Sequence, residues 1–345
     1  MHPLPAHLKE KMKSLNQTLT RRQATLSLSA SVLGASGLLA PNLGMAQAAY
    51  PNKPIRVVVP YPPGGFNDIV ARLVTDRMAT RMGQPMLLDY KPGAGTNIGA
   101  DFVAKAAPDG YTVFAGNSSL AINPSLYGKL NYEPTNDFIP IGIYASTGFV
   151  MLVNADVPPK NLKEFLMWAK SKGDEVTYAT SGAGAVNHLA GELFNSLAGT
   201  KMRAIPYRGG AAAITDLIGG RVNVHFASTA EALPLIKAGR VRAIGITNPR
   251  RLKVAEDIPA IMELVKGYDC VLWLGLFAPK GTPAAVVDLL ANNLRETMNR
   301  TDMRAQMYVR GAEATFMDAN ITRAVLAIDT KKWGTLVKSS GATAS

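Results

Sequence analysis

Apolar and polar positions along the chain alternate between short apolar runs and helix-spaced stripes. Val57-Val58-Val59 is a run of β-branched residues closed by Pro60-Tyr61-Pro62-Pro63-Gly64-Gly65-Phe66. From Asn67 and Asp68 onward, Ile69, Val70, Leu73, Val74 and Met78 recur at helical spacing, with Arg72, Asp76 and Arg77 opposite them. This predicts a buried strand, a tight turn and an amphipathic helix. The unit then repeats: a strand over 86–89 runs into Lys91-Pro92-Gly93-Ala94-Gly95-Thr96-Asn97 and a helix over 98–106, and a strand over 111–115 ends in Gly116-Asn117-Ser118-Ser119 before a helical stretch over 120–127. Two extended runs over 138–153, separated by Ala145-Ser146-Thr147-Gly148, read as strands leaving this first unit.

A second series begins after Pro158-Pro159. A helix over 162–170 and a strand over 176–180 lead to Ser181-Gly182-Ala183-Gly184-Ala185-Val186-Asn187 and a helix over 188–197. Next come a strand over 202–206, the loop Tyr207-Arg208-Gly209-Gly210 and a helix over 211–218, then a strand over 222–226, the loop Ala227-Ser228-Thr229 and a helix over 230–237. A strand over 241–247, an apolar run over 271–278 that returns the chain to the first unit, and helices over 283–299, 302–310 and 321–338 complete it. Strand-loop-helix alternation of this kind means an α/β fold with parallel, doubly wound sheets whose ligand-facing loops lie at the strand C-termini. The glycine loop at 181–187 mirrors the one at 60–68 about 120 residues later, which predicts two similar lobes.

Glycines let the backbone approach a ligand closely, and the first amides of a helix have no intrahelical acceptor. A turn of this kind either simply connects strand to helix or cradles an anion, and taken alone it fits both. Asp68 is expected to fix the first turn by interacting with the helix N-terminus.

Composition narrows the picture. Hydrophobic residues are 47% and charged residues 18% of the 345, which excludes a disordered chain. Residues 1–48 read as an export signal: Lys9, Lys11, Lys13, Arg21 and Arg22 precede a mildly apolar stretch over 24–40 and the small-residue pattern Ala46-Gln47-Ala48. This predicts a periplasmic address. Arg21-Arg22 suggests the twin-arginine route, whereas Ala24 and Thr25 stand where that signal usually has Phe and Leu, so both export routes fit. Without the leader, 32 basic residues face 24 acidic ones, a net +8 that favours anionic small molecules. The basic residues form no aromatic-interleaved stripe, so nucleic acid is not an expected partner. The single cysteine, Cys270, allows no internal disulfide and is expected to pack.

Little catalytic chemistry is present. After the leader only His188 and His225 remain, and there is no metal-ligand spacing, nucleophile elbow or phosphate-loop lysine. The stretch 93–99 approaches a dinucleotide fingerprint with its third glycine displaced by one residue. His188 is expected to pack or cap, and His225 to be structural.

Several motifs together carry a family resemblance: Tyr50-Pro51-x-Lys53-Pro54-Ile55-Arg56, Gly64-Gly65-x-x-Asp68-x-x-Ala71-Arg72, Asn123-Pro124-Ser125-Leu126-Tyr127, His188-Leu189-Ala190-Gly191-Glu192, Pro206-Tyr207-Arg208-Gly209 and Leu276-x-Ala278-Pro279-x-Gly281-Thr282-Pro283. In order, they resemble the Bug-type receptors, the extracytoplasmic solute-binding components of tripartite tricarboxylate transporters. The resemblance implies a type II-like, two-lobed Venus flytrap with a hinge of crossing strands, in which residues 49–152 and 274–345 form one lobe and 153–273 the other. It further implies a monomeric, non-catalytic receptor with no cofactor or metal. Its ligand would be a small mono- or dicarboxylate, aromatic ones included, and its partner a membrane permease or a sensor. The implied binding residues are Tyr61, Gly64, Gly65, Phe66, Asn67 and Asp68 in the first loop, Ser118 and Ser119 after the third strand, Ser181, Gly182, Ala183, Gly184 and Ala185 in the second glycine loop, and Tyr207 and Ser228. Many relatives carry serine where Ala185 stands and Asp where Ala227 stands, which removes one hydroxyl contact and argues against an ammonium-bearing ligand. The competing reading is a secreted two-lobed enzyme acting on a carboxylate, with a dehydrogenase using the turn at 93–99 as the example.

Overall fold

The computed structural model describes residues 50–343 apart from Ala183 and Arg208, and not the side chain of Val254. The expected export signal lies outside the described residues. The first unit is β1 (Ile55–Val59), α1 (Phe66–Met82), β2 (Met86–Tyr90), α2 (Asn97–Ala104), β3 (Thr112–Asn117) and α3 (Ser119–Leu126). The three strands are parallel in the order β2-β1-β3. Val57, Val58 and Val59 are all fully buried, which is why this strand reads as a continuous apolar run.

β4 (Phe138–Asn154) is one strand of 17 residues, not the two runs that its small residues suggested. Ala145, Ser146, Thr147 and Gly148 stay in register with the antiparallel β9 (Val271–Pro279), and β-bulges near Gly142 and Ala145 bend the strand without ending it. The second unit comprises α4 (Leu162–Lys172), β5 (Thr177–Thr180), α5 (Val186–Ala198), β6 (Arg203–Pro206), α6 (Gly210–Ile218), β7 (Val224–Ser228), α7 (Thr229–Lys237) and β8 (Val241–Ile246). Here β6, β5 and β7 are parallel neighbours. β7 runs through Ala227 and Ser228, expected as loop, because it pairs with β4 as far as Phe149 opposite Ser228.

The chain closes with α8 (Ala284–Met298), α9 (Thr301–Val309), β10 (Glu313–Met317) and α10 (Ala319–Ser340). The sequence reading missed β10, a five-residue strand paired with β4. Strand pairing divides the sheet in two within β4. Gly148 still faces Val271 of β9, whereas the next residue, Phe149, faces Ser228 of β7. One buried core spans both halves, with Phe114 and Phe277 from the first sheet and Tyr178 and Phe226 from the second. Among the described residues no helix is long and apolar enough to cross a membrane.

Candidate functional site

The loops after β1, β2, β3 and β5 open on one cavity of about 390 Å³, floored by Phe149 of β4 and Leu272 of β9. Tyr61 enters from the first loop and Gly95 from the second. α3 contributes Ser119, Ile122, Asn123 and Leu126, followed by Tyr127. These five occupy positions i, i+3, i+4, i+7 and i+8, a single helical face. The second unit contributes Ser181, Gly182, Gly184, Ala185, Val186 and Asn187.

Local chemistry shapes both loops. In the first, the Asp68 carboxylate accepts the Gly64 amide at 2.7 Å and the Tyr90 hydroxyl at 2.7 Å, and pairs with Arg72 at 3.3 Å. Burial pushes the Asp68 pKa up, but these three donors outweigh it and hold the carboxyl below its usual range. Asp68 therefore fixes the turn, as expected. Gly64, at φ +86°, adopts the left-handed conformation that the turn requires of a glycine.

Tyr61 is held by Asn117, whose amide Nδ2 donates to the phenol oxygen at 2.7 Å and also reaches Asn67 Oδ1 at 3.4 Å. Burial raises the Tyr61 pKa, with hydrogen bonds to Asn117 and Ser119 offsetting part of the rise. The phenol stays neutral and keeps a proton to donate.

In the second loop, Asn187 Oδ1 accepts from the amide of Ser181 at 3.2 Å and from its hydroxyl at 2.9 Å, tying the loop's start to the first turn of α5. His188 Nδ1 accepts the Gly184 amide at 2.9 Å. The N-cap of α5 is Ala185, in extended conformation and with no side-chain cap. Helical bonding begins with His188 and Leu189 donating to the Ala185 carbonyl, so the amides of Val186 and Asn187 precede it, and both residues line the cavity. Gly184 approaches α3 so closely that a Cβ there would lie 2.4 Å from Leu126 Cδ2.

The structure brings together Tyr61, Ser119, Ser181, Gly182, Gly184 and Ala185 of the sequence-predicted residues. Gly64, Gly65, Phe66 and Asp68 build the first turn without lining the cavity, and Asn67 stands behind Tyr61 through Asn117. Ser118 is fully buried and its hydroxyl accepts the Trp273 amide at 2.9 Å. Tyr207 donates to Asp216 at 2.8 Å, and Ser228 closes a capping box with Glu231 at the start of α7. Ala183 lies outside the described residues. Gly95, Ile122, Asn123, Leu126 and Tyr127 escaped sequence reasoning, as did Phe149 and Leu272. The helical spacing from Ser119 was the signal for the α3 residues, whereas the two strand residues gave none.

Two half-sheets sharing a long crossing strand, with a cavity at the C-terminal ends of their parallel strands, define a two-lobed solute-binding protein of the periplasmic type. The chain belongs to the tripartite tricarboxylate transporter family receptors, whose family profile matches residues 70–342. BugT of Bordetella pertussis is 30% identical over 329 residues, covering 94% of this chain and 98% of BugT. Among solved structures, MatC from Rhodopseudomonas palustris with bound malate is 31% identical at a TM-score of 0.69, covering 84% of this chain and 100% of MatC. An R. palustris protein solved with adipate is 28% identical at a TM-score of 0.75, covering 86% of this chain and 100% of that protein.

Proposed function

We propose that this protein is an extracytoplasmic receptor that captures a small organic carboxylate in the cavity between its lobes and presents it to a tripartite tricarboxylate-type permease. In this reading residues 1–48 are an export signal, residues 49–152 and 274–345 form one lobe, and 153–273 form the other. The observation that supports it most directly is the start of α5 without a side-chain cap, where Val186 and Asn187 line a cavity shared with Tyr61 and Ser119 of the first unit. A carboxylate there supplies the acceptor that Ala185 lacks, in the favourable field of the helix N-terminus. Each such interaction contributes about 0.3–2 kcal/mol, so useful affinity needs donors from both lobes at once. Relatives that hold malate and adipate fit the same carboxylate chemistry.

The reading is of binding without turnover. Both histidines are occupied structurally, His188 by the Gly184 amide and His225 by the Ala179 carbonyl at 2.9 Å. Thermal melting with a panel of carboxylates beside NAD, together with mass spectrometry of whatever small molecule the natively purified protein retains, tests the proposal. Stabilisation by carboxylates and a retained organic acid are expected. Stabilisation by the nucleotide alone would overturn it.

A further inference from the structure

We propose that a slot on the far face of the crossing strands works against the ligand cavity: its apolar rim packs together when the lobes open, so that Ile328, remote from any ligand, sets how readily they close. This deepens the receptor reading and rests on the closing motion of its two lobes. Side chains alternate across a strand. Leu272 of β9 lines the ligand cavity, whereas its neighbours Val271 and Trp273 line a second cavity, of about 340 Å³, on the opposite face.

This slot lies between the two units. Pro249, just after β8, and Asp269 stand on one wall, and Met317 of β10 with Val325 and Ile328 of α10 on the other. Asp269 moves with the second unit, because the Tyr268 hydroxyl donates to the Ala190 carbonyl at 3.0 Å and the Cys270 amide to the Thr247 carbonyl at 3.1 Å. At the base the walls are tied. Lys332 Nζ donates to the Asp269 carbonyl at 3.2 Å and pairs with Asp329 at 3.2 Å, and Ile143 and Trp273 are buried. At the rim Pro249 is exposed and Ile328 is 66% exposed, so the slot widens outward. On the ligand side the units touch, with Gly184 so close to Leu126 that no Cβ fits between them. This arrangement is therefore a closed one, narrow at the ligand cavity and wide at the slot. β4 and β9 run between the two faces, and a rotation about them that parts Gly184 from Leu126 brings Ile328 toward Pro249. Apolar surface now in water is then buried, which favours the open form. A ligand has to overcome that preference before the lobes close, so the slot tunes affinity from the opposite face. Charge does not forbid the motion, because Lys332 stands by Asp269 and Asp329 and Glu313 is exposed.

Small-angle X-ray scattering of the mature protein, stripped of retained small molecules, tests this with two variants. Ile328→Ser removes apolar surface from the rim, and Ser146→Leu, in the part of β4 that lines the slot, obstructs its narrowing. Wild type is expected to be more extended than this closed arrangement. Both variants should have a smaller radius of gyration than wild type at unchanged far-ultraviolet dichroism, as the open-to-closed ratio falls roughly tenfold. The Ile328 side chain is largely exposed, so its variant folds and decides the test if Ser146→Leu does not fold. A radius equal to or larger than that of wild type in either folded variant would overturn the inference. No ligand enters the measurement, so compact variants that bind no carboxylate would overturn the receptor reading and leave the role of the slot standing.

Discussion

A single imidazole ties the second glycine loop to its helix. His188 Nδ1 can accept the Gly184 amide only while that nitrogen is unprotonated. Burial lowers the His188 pKa, and nearby Glu192, 3.9 Å from Nε2, offsets part of that. A base whose folded pKa lies below its unfolded value of 6.5 contributes stability above that pH and loses it as pH falls toward the folded value. His225, buried against Ala179, contributes with the same sign, so the histidine share is isolated by comparison with a variant. His188→Ala should lower stability by about 0.5–1.5 kcal/mol at neutral pH and make the fall between about pH 7.5 and 5.5 shallower than in the wild type. Urea titrations at both pH values check this, and an identical slope in the variant would refute the role. The sequence made a capping function for His188 legible, since it begins a helix just after a glycine loop. It did not single out Tyr127 or Asn123: their helical spacing from Ser119 marks a face of α3, but a polar residue in or just after an apolar helix looks like surface until the facing unit is known.

At the scale of elements, the start of α5 combines an N-cap without a side-chain acceptor with a place on the cavity wall. An alanine N-cap leaves the first amides of the helix without the side-chain acceptor that serine would provide. Ala185→Ser should therefore stabilise the ligand-free protein by about 0.5–2 kcal/mol. If the same amides receive the carboxylate, the increase in Tm produced by saturating ligand should shrink. Melting curves with and without ligand read both effects, and a variant of unchanged ligand-free stability would show that water or another group already satisfies this terminus. Elements with strong periodicity were legible: α1, α5 and the parallel strands fall within about two residues of where the pattern put them, with β3 and β7 running two residues into their expected loops. β4 was read as two strands because Ala145 to Gly148 are small or polar, yet β9 pairs with each of these four residues and holds the backbone extended. β10 was invisible because only five residues, one of them charged, form a strand that pairs with β4 alone.

For the whole molecule, the crossing strand links the fate of the two half-sheets. β4 is held by β9 and β10 through Gly148 and by β7 and β8 beyond it, so neither half can dissolve without stripping partners from the same 17 residues. α10 reinforces this link. Its fully buried Trp333 belongs to the core that both sheets share, and its Asp329 accepts the indole N–H of Trp273 in β9 at 2.8 Å. Unfolding one half alone would expose Phe226 and Tyr178, or Phe114 and Phe277, while their neighbours in the same cluster stayed folded. That intermediate loses apolar burial on both sides of the break and gains chain entropy on only one. Two lobes of the size implied by the sequence repeat would ordinarily be expected to melt separately if joined by linkers. Here a single cooperative transition is expected instead, with the calorimetric and van't Hoff enthalpies equal. Trp168 in α4 of the second unit, and Trp273 and Trp333 at the crossing, make fluorescence a probe distinct from far-ultraviolet dichroism, and the two urea curves should superimpose. Saturating ligand should move that one transition as a unit, because the cavity draws donors from both halves. Two resolved transitions, or a ligand that shifts only one of them, would show that β4 permits the lobes to fold independently and that closure is a rearrangement between autonomous domains.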